Sequence, residues 1–200
     1  MPPKVLHRRS LRLPGYDYSQ GNAYFVTICT ADRAPIFGQI VDGTMRFSDA
    51  GKIITEEWLK TARIRTYVEL DQFIVMPNHF HGILLDDREE EGTARRAPTV
   101  QQFGGPVSSS LPTIIRAFKS AVTNRINTLR ASPNNKIWQR NYYEHVIRSE
   151  ASLHRIREYI LNNPQTWELD RENLGRTGEN DFYRWLANFK SRPGKKIRLR

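Results

Sequence analysis

Two histidines, His79 and His81, stand one residue apart inside MPNHFHGILL, a run of Phe, Ile and Leu that opens on a Pro-Asn pair. The run predicts a strand, and residues i and i+2 of a strand share one face roughly 6 to 7 Å apart, so the two imidazoles could converge on a single ion. Phe80, between them, is expected to point into the core. Pro77 and Asn78 predict a turn that sets both histidines near the strand's start, where one face can still meet solvent or a ligand. Two ligands alone do not make a metal site, and the pair suits two half-buried strand residues equally well. Downstream, Tyr159 and Asn163 lie four positions apart in a stretch of helical character, which places a phenol and an amide on one face, a turn from each other. A helix laid across the sheet opposite the histidines would offer both groups to the same ion or substrate. Otherwise Tyr159 reads as a ring turned to the core, and Asn163 as a cap before Pro164.

A domain with a real core is needed to hold such groups, and 200 residues at 38% hydrophobic suffice for one. Lys and Arg number 31 against 21 acids, a formal charge of +10. That excess favours a polyanionic partner, because each neutralised phosphate releases condensed counterions, but it does not separate DNA from RNA or from a merely basic surface. No apolar run approaches the roughly 20 residues of a membrane span, and the opening MPPKVLHRRSLRLPG lacks an apolar signal core, so a cytoplasmic protein with no membrane partner is expected. The lone Cys29, among strand-type residues, excludes disulfides within the chain and leaves a Cys-based zinc site without support.

Residues 1–22 are basic and turn-rich, with Arg8, Arg9 and Arg12 close together, and read as an arm suited to a nucleic-acid backbone. AYFVTICT, from Ala23, predicts the first core strand, and Asp42-Gly43 a hairpin turn with strand ending near Phe47. Ser48 or Asp49 can cap a helix running to about Arg63, with Ile53, Ile54, Trp58 and Ala62 on its apolar face. VELDQFIV, Val68 to Val75, predicts a strand paired antiparallel with the histidine strand. Residues 86–110 turn charged and then Gly/Pro/Ser-rich, as in a flexible insertion. Ser110 and Pro112 open a helix whose stripe includes Ile114, Phe118, Val122 and Ile126; Lys119 on it suits a phosphate contact or a solvated face equally. IWQRNYYEHVIR, Ile137 to Arg148, predicts a strand, and Ser149 caps a helix from Glu150 to about Asn163. Residues 165–200 form an extension with scattered aromatics that suit packing on the domain, and a basic end carrying Lys195, Lys196 and Arg198 suited to backbone contact. The order of elements predicts an α+β domain over 23–164, a central, mainly antiparallel sheet with helices packed on it, related to the ferredoxin-like arrangement.

MPN before HFH, then WQRNYYEHVIR, then RIREYILNNP, in that order and after RLPGYDY and AYFVTICT, resembles the REP-associated tyrosine transposases, a branch of the single-tyrosine HUH transposases. The resemblance runs from about Arg12 to Pro164. It implies a HUH endonuclease fold with His79 and His81 as metal ligands, Tyr159 as nucleophile and Asn163 as third ligand. Related insertion-sequence enzymes usually carry Gln at that third place, whereas Asn is similar to the REP-associated branch. Two imidazoles and an amide oxygen form a mixed N/O set that suits Mg2+ or Mn2+ completed by water and phosphate oxygens. The implied activity is a metal-dependent single-stranded DNA endonuclease and strand transferase acting on hairpin-forming DNA through a 5′-phosphotyrosine link. Tyr142 and Tyr143 are reserve nucleophiles, and His145 and His154 are weaker candidates for a DNA contact or a proton shuttle. Monomer and homodimer, with the tyrosine acting in cis or in trans, fit the sequence alike. The competing class is a binding module, either a hairpin-DNA binder that does not cut or an RNA-binding sheet with exposed aromatics. A phosphoesterase with paired His-x-Thr motifs is excluded, because the chain has a single His-x-His element.

Overall fold

A computed structural model describes residues 22–87 and 109–188. Arg8, Arg9, Arg12, Lys195, Lys196 and Arg198, together with most of the expected insertion, lie outside the described residues. The elements are β1 (Ala23–Cys29), β2 (Gly38–Val41), β3 (Thr44–Phe47), α1 (Asp49–Arg63), β4 (Val68–Met76), β5 (His79–Asp86), α2 (Leu111–Leu129), β6 (Tyr143–Ile147), α3 (Glu150–Asn162) and α4 (Asp181–Ala187). Four of the strands make one antiparallel sheet in the order β4-β5-β1-β6, and β2 and β3 form a separate hairpin. With β1, β4, β5 and β6 counted as first to fourth, the order from β6 is 4-1-3-2 with helices after the first and third, which is the ferredoxin-like arrangement.

Both faces of this sheet are covered, which explains why β5 is buried along its whole length. On one face Tyr24, Val26, Ile28, Phe80 and Leu84 pack against α1 and α2 through residues such as Trp58 and Phe118. On the other, Phe25, Ile83 and Leu85 meet Leu153, Ile156 and Ile160 of α3 and Phe182 and Leu186 of α4. Gly82 is required where the first layer presses closest: a Cβ there would lie 2.8 Å from ring atoms of Phe80 and Trp58. Arg125 of α2 ties the two helices of that layer, donating to Glu56 at 2.6 Å and Glu57 at 2.7 Å on α1.

Local chemistry sets the boundaries. Ser48 accepts from Gly51 N at 3.2 Å and Ser149 from Ser152 N at 3.1 Å, so both expected caps form and each replaces water on an orphan helix donor. Asp42 and Gly43 turn the β2–β3 hairpin with φ of 50° and 67°, the left-handed pair that a two-residue turn needs. The strand expected from Ile137 to Arg148 is shorter, and only Tyr143–Ile147 pairs with β1. Ahead of it, Lys119 Nζ donates to the carbonyls of Gln139 at 2.7 Å and Arg140 at 3.2 Å and fixes the loop that leads into the strand. Ile137 and Trp138 are buried all the same, and Trp138 makes an isolated bridge to Thr30.

Candidate metal and tyrosine site

The antiparallel register of β1 and β5 places Thr27 opposite His81 and Cys29 opposite His79, so all four side chains face α3. Thr27 Oγ1 lies 2.8 Å from His81 Nδ1. Asn78, at the hairpin turn, uses its Nδ2 on the carbonyls of Arg33 and Glu172, so its Oδ1 must accept from His79 Nδ1, 2.9 Å away. That fixes the tautomer of His79 and leaves a bare lone pair on its Nε2, which faces His81 Nε2 at 3.0 Å. One proton between the two rings satisfies the pair, carried by His81 with Thr27 donating to Nδ1. Were His79 and His81 to hold a cation through Nε2, the Thr27 hydroxyl could rotate to accept from His81 Nδ1 instead, orienting the ring in either state.

The third component comes from α3 and the chain beyond it. Leu153, Ile156 and Ile160 bury one face of the helix, and Tyr159 follows them inward. Its hydroxyl lies 3.2 Å from His81 Nε2 and donates to Asp170 Oδ2 at 2.7 Å. With that proton committed, Tyr183 donates to the Tyr159 oxygen at 2.7 Å. Asn163 donates through Nδ2 to the same Asp170 oxygen at 2.8 Å, and its own Oδ1 is buried with no hydrogen-bond partner. Asp170 is held from behind by Glu172 N, 2.7 Å from Oδ1. Ligand atoms of His79, His81 and Asp170 all lie within 4.8 Å of one another. Two imidazole nitrogens and a carboxylate form a mixed N/O set that fits a divalent cation of the Mg2+ or Mn2+ class.

Burial governs the electrostatics. It lowers the pKa of His79 to about 3, helped by His81, so that ring is neutral at physiological pH. Burial opposes ionisation of Asp170, yet His81, His79 and the Asn163 amide outweigh it and hold the carboxyl well below the usual carboxylate range. The Tyr159 phenol is driven the other way, raised by burial, by Tyr183 and by Asp170. A neutral phenol beside a carboxylate is the resting condition, and a phenolate there requires added positive charge.

The structure brings together His79, His81 and Tyr159 as the spacing suggests, and Asn163 joins them through Asp170. The histidines do not border solvent, as their place near the strand's start led one to expect: both are fully buried, because α4 and the segment before it cover this face. Phe182 stacks on Tyr159 at 3.7 Å and Trp167 on His79 at 5.8 Å. Lys119 lies elsewhere, on α2, tied to backbone carbonyls. Tyr143 and His145 sit on β6 and His154 on an exposed face of α3. Asp170 and Tyr183 are absent from the expected site. Asp170 occurs in ELDREN with no metal-ligand spacing to either histidine, so only the fold reveals it.

No protein-family model matches the chain. A functionally undescribed protein of Haemophilus influenzae is 38% identical over 172 residues, 84% of this chain and 93% of that protein. A second protein of the same organism, provisionally named a REP-associated tyrosine transposase, is 28% identical over 150 residues, 74% of this chain and 73% of its own length. A solved REP-associated tyrosine transposase, bound to a REP hairpin, shares the fold with a TM-score of 0.51 at 18% identity, over 77% of this chain and 73% of its own. The chain is thus similar in sequence and in fold to REP-associated tyrosine transposases. That similarity points to an enzyme of the transposase kind, and the imidazole, phenol and carboxylate cluster is a buried set of groups that could hold a metal ion. Among the described residues no helix is long and apolar enough to cross a membrane.

Proposed function

We propose that the chain is a metal-dependent single-stranded DNA endonuclease and strand transferase that works through a covalent 5′-phosphotyrosine. The observation that carries this reading is the position of the Tyr159 hydroxyl, 3.2 Å from an imidazole nitrogen that itself faces a second imidazole at 3.0 Å. His79, His81 and Asp170 would hold Mg2+ or Mn2+, with Asn163 Oδ1 as a further donor. Bound there, the cation supplies the positive charge that stabilises a phenolate and polarises a phosphate oxygen.

The chain's own groups do the rest. The Tyr159 hydroxyl, oriented by its 2.7 Å hydrogen bond to Asp170 Oδ2, would release its proton as added positive charge stabilises the phenolate, and the departing 3′ oxygen can take a proton up again. The phenolate oxygen attacks phosphorus in line, the bond from phosphorus to the 3′ oxygen breaks, and that oxygen departs as a 3′ hydroxyl after taking a proton. One phosphodiester replaces another, so a 3′ hydroxyl can reverse the step and join strands with no external energy source. Burial excludes water that would hydrolyse the link. The hairpin in the fold relative makes hairpin-forming DNA the substrate to offer first. An RNA-binding platform on the sheet finds no support, since helices cover both faces.

The test is incubation of end-labelled hairpin DNA carrying a single-stranded flank, with and without Mn2+ or Mg2+. A cation-dependent covalent protein-DNA band is expected, lost in Tyr159→Phe while binding persists. Cutting that needs no cation, or an adduct undiminished in Tyr159→Phe, overturns the proposal.

A further inference from the structure

Between α2 and β6 the chain makes a ridge whose outer residues have no role in the cluster just described. Ile137 and Trp138 anchor it in the core, Ala31 N donates to the Ile137 carbonyl at 2.8 Å, and Gln139 N donates to the Cys29 carbonyl at 2.9 Å. From these anchors Lys136 and Arg140 project as exposed side chains, and among the described residues neither makes an ion pair. Lys119, beneath, fixes the loop and adds a half-buried positive charge under it. Open clefts lie on both sides of the ridge, and Lys136, Gln139 and Arg140 line both.

One of these clefts has Arg33 on its far wall, with exposed Asp32 as the acid among its lining residues. Arg33 connects it to the cluster: its guanidinium pairs with Glu172 at 3.0 Å, Glu172 N donates to Asp170, and the Arg33 carbonyl accepts from Asn78, the residue that orients His79. A rigid ridge with two free cations, flanked by a polar trough that ends against the supports of the tyrosine site, has the character of a track for a polyanion.

We propose that the Lys136–Arg140 ridge carries the sugar-phosphate backbone of the single-stranded DNA that flanks a hairpin and leads it toward Tyr159. This rests on the function proposed above for its ligand, and the test separates the two. In the non-cleaving Tyr159→Phe background, Lys136→Ala/Arg140→Ala is compared with Lys52→Ala/Arg63→Ala, which removes two cations from α1. Each is titrated with a blunt hairpin and with the same hairpin bearing a 5′ single-stranded flank of about 10 nucleotides. The ridge variant should bind the flanked DNA roughly tenfold more weakly, with the log-log salt slope shallower by about 1.4, two single-strand phosphates' worth. Its affinity for the blunt hairpin, and the α1 variant's for either DNA, should stay within about twofold. Equal weakening on both DNAs, or no weakening on the flanked one, overturns the proposal. Should the wild type form no covalent adduct while the flank-specific loss holds, the cutting activity fails and the track stands.

Discussion

Asp170 accepts the hydroxyl proton of Tyr159 at 2.7 Å while lying 4.0 Å from His81 Nε2, so one carboxylate bridges the phenol and the imidazole pair. Its replacement by Asn keeps the shape and removes the charge. Asp170→Asn should weaken Mn2+ binding by about 10- to 100-fold. Adduct yield should drop at limiting Mn2+ and recover in part at saturation, as read from a Mn2+ titration of the covalent band.

Two phenols share one hydrogen bond at the site, since the Tyr183 hydroxyl lies 2.7 Å from that of Tyr159. Only Tyr159 also lies within 3.2 Å of His81. Tyr183→Phe should therefore keep adduct formation within about tenfold of wild type, whereas Tyr159→Phe removes it. Denaturing gels of labelled hairpin DNA decide the matter, and loss in the first variant with retention in the second would exchange the two roles.

Among the described residues, Thr27 meets the site through His81 Nδ1, at 2.8 Å. Thr27→Val keeps the volume and the strand, but removes the hydroxyl that serves either tautomer. Mn2+ affinity should fall about tenfold with little change in thermal stability, measured by calorimetry and by melting.

The helix bearing Tyr159 is held to β4 where that strand's register shifts between Leu70 and Phe73: Arg157 donates to both oxygens of Asp71 at 2.9 to 3.0 Å through Nε. The Arg157 side chain is 40% exposed, which weakens the pair's contribution, so Arg157→Ala should cost about 1 kcal/mol in urea unfolding.

Burial raises the pKa of Glu57, but Lys60 and Arg125 more than offset it and the folded-state pKa lies below the ordinary value. A depressed carboxylate stabilises the fold above its unfolded pKa, and that contribution is lost as pH falls through the folded one. The stability difference between wild type and Glu57→Gln should be full at pH 7 and shrink progressively below about pH 4.3. Urea midpoints across that range check it.

Much of this architecture is legible in the chain. His79, Phe80 and His81 reveal the strand and its two faces by alternation alone, and Ser48 and Ser149 announce helix starts because a capping hydroxyl acts within three residues. What escapes is non-local. Lys119 anchors a loop twenty residues away by holding its carbonyls, and Asp170 reaches the histidines only because the chain doubles back over α3. Burial of the site is hidden for the same reason, since Phe182 looks like any scattered aromatic until it stacks on Tyr159.

The decisive measurement is mass spectrometry of the protein after reaction with hairpin DNA and Mn2+, nuclease trimming and proteolysis. A residual 5′-linked nucleotide should be found on the peptide containing Tyr159 and on no other. Its presence on Tyr142, Tyr143 or Tyr183 instead, or a cleaved DNA with no protein-linked nucleotide, would contradict a phosphotyrosine made at the paired imidazoles.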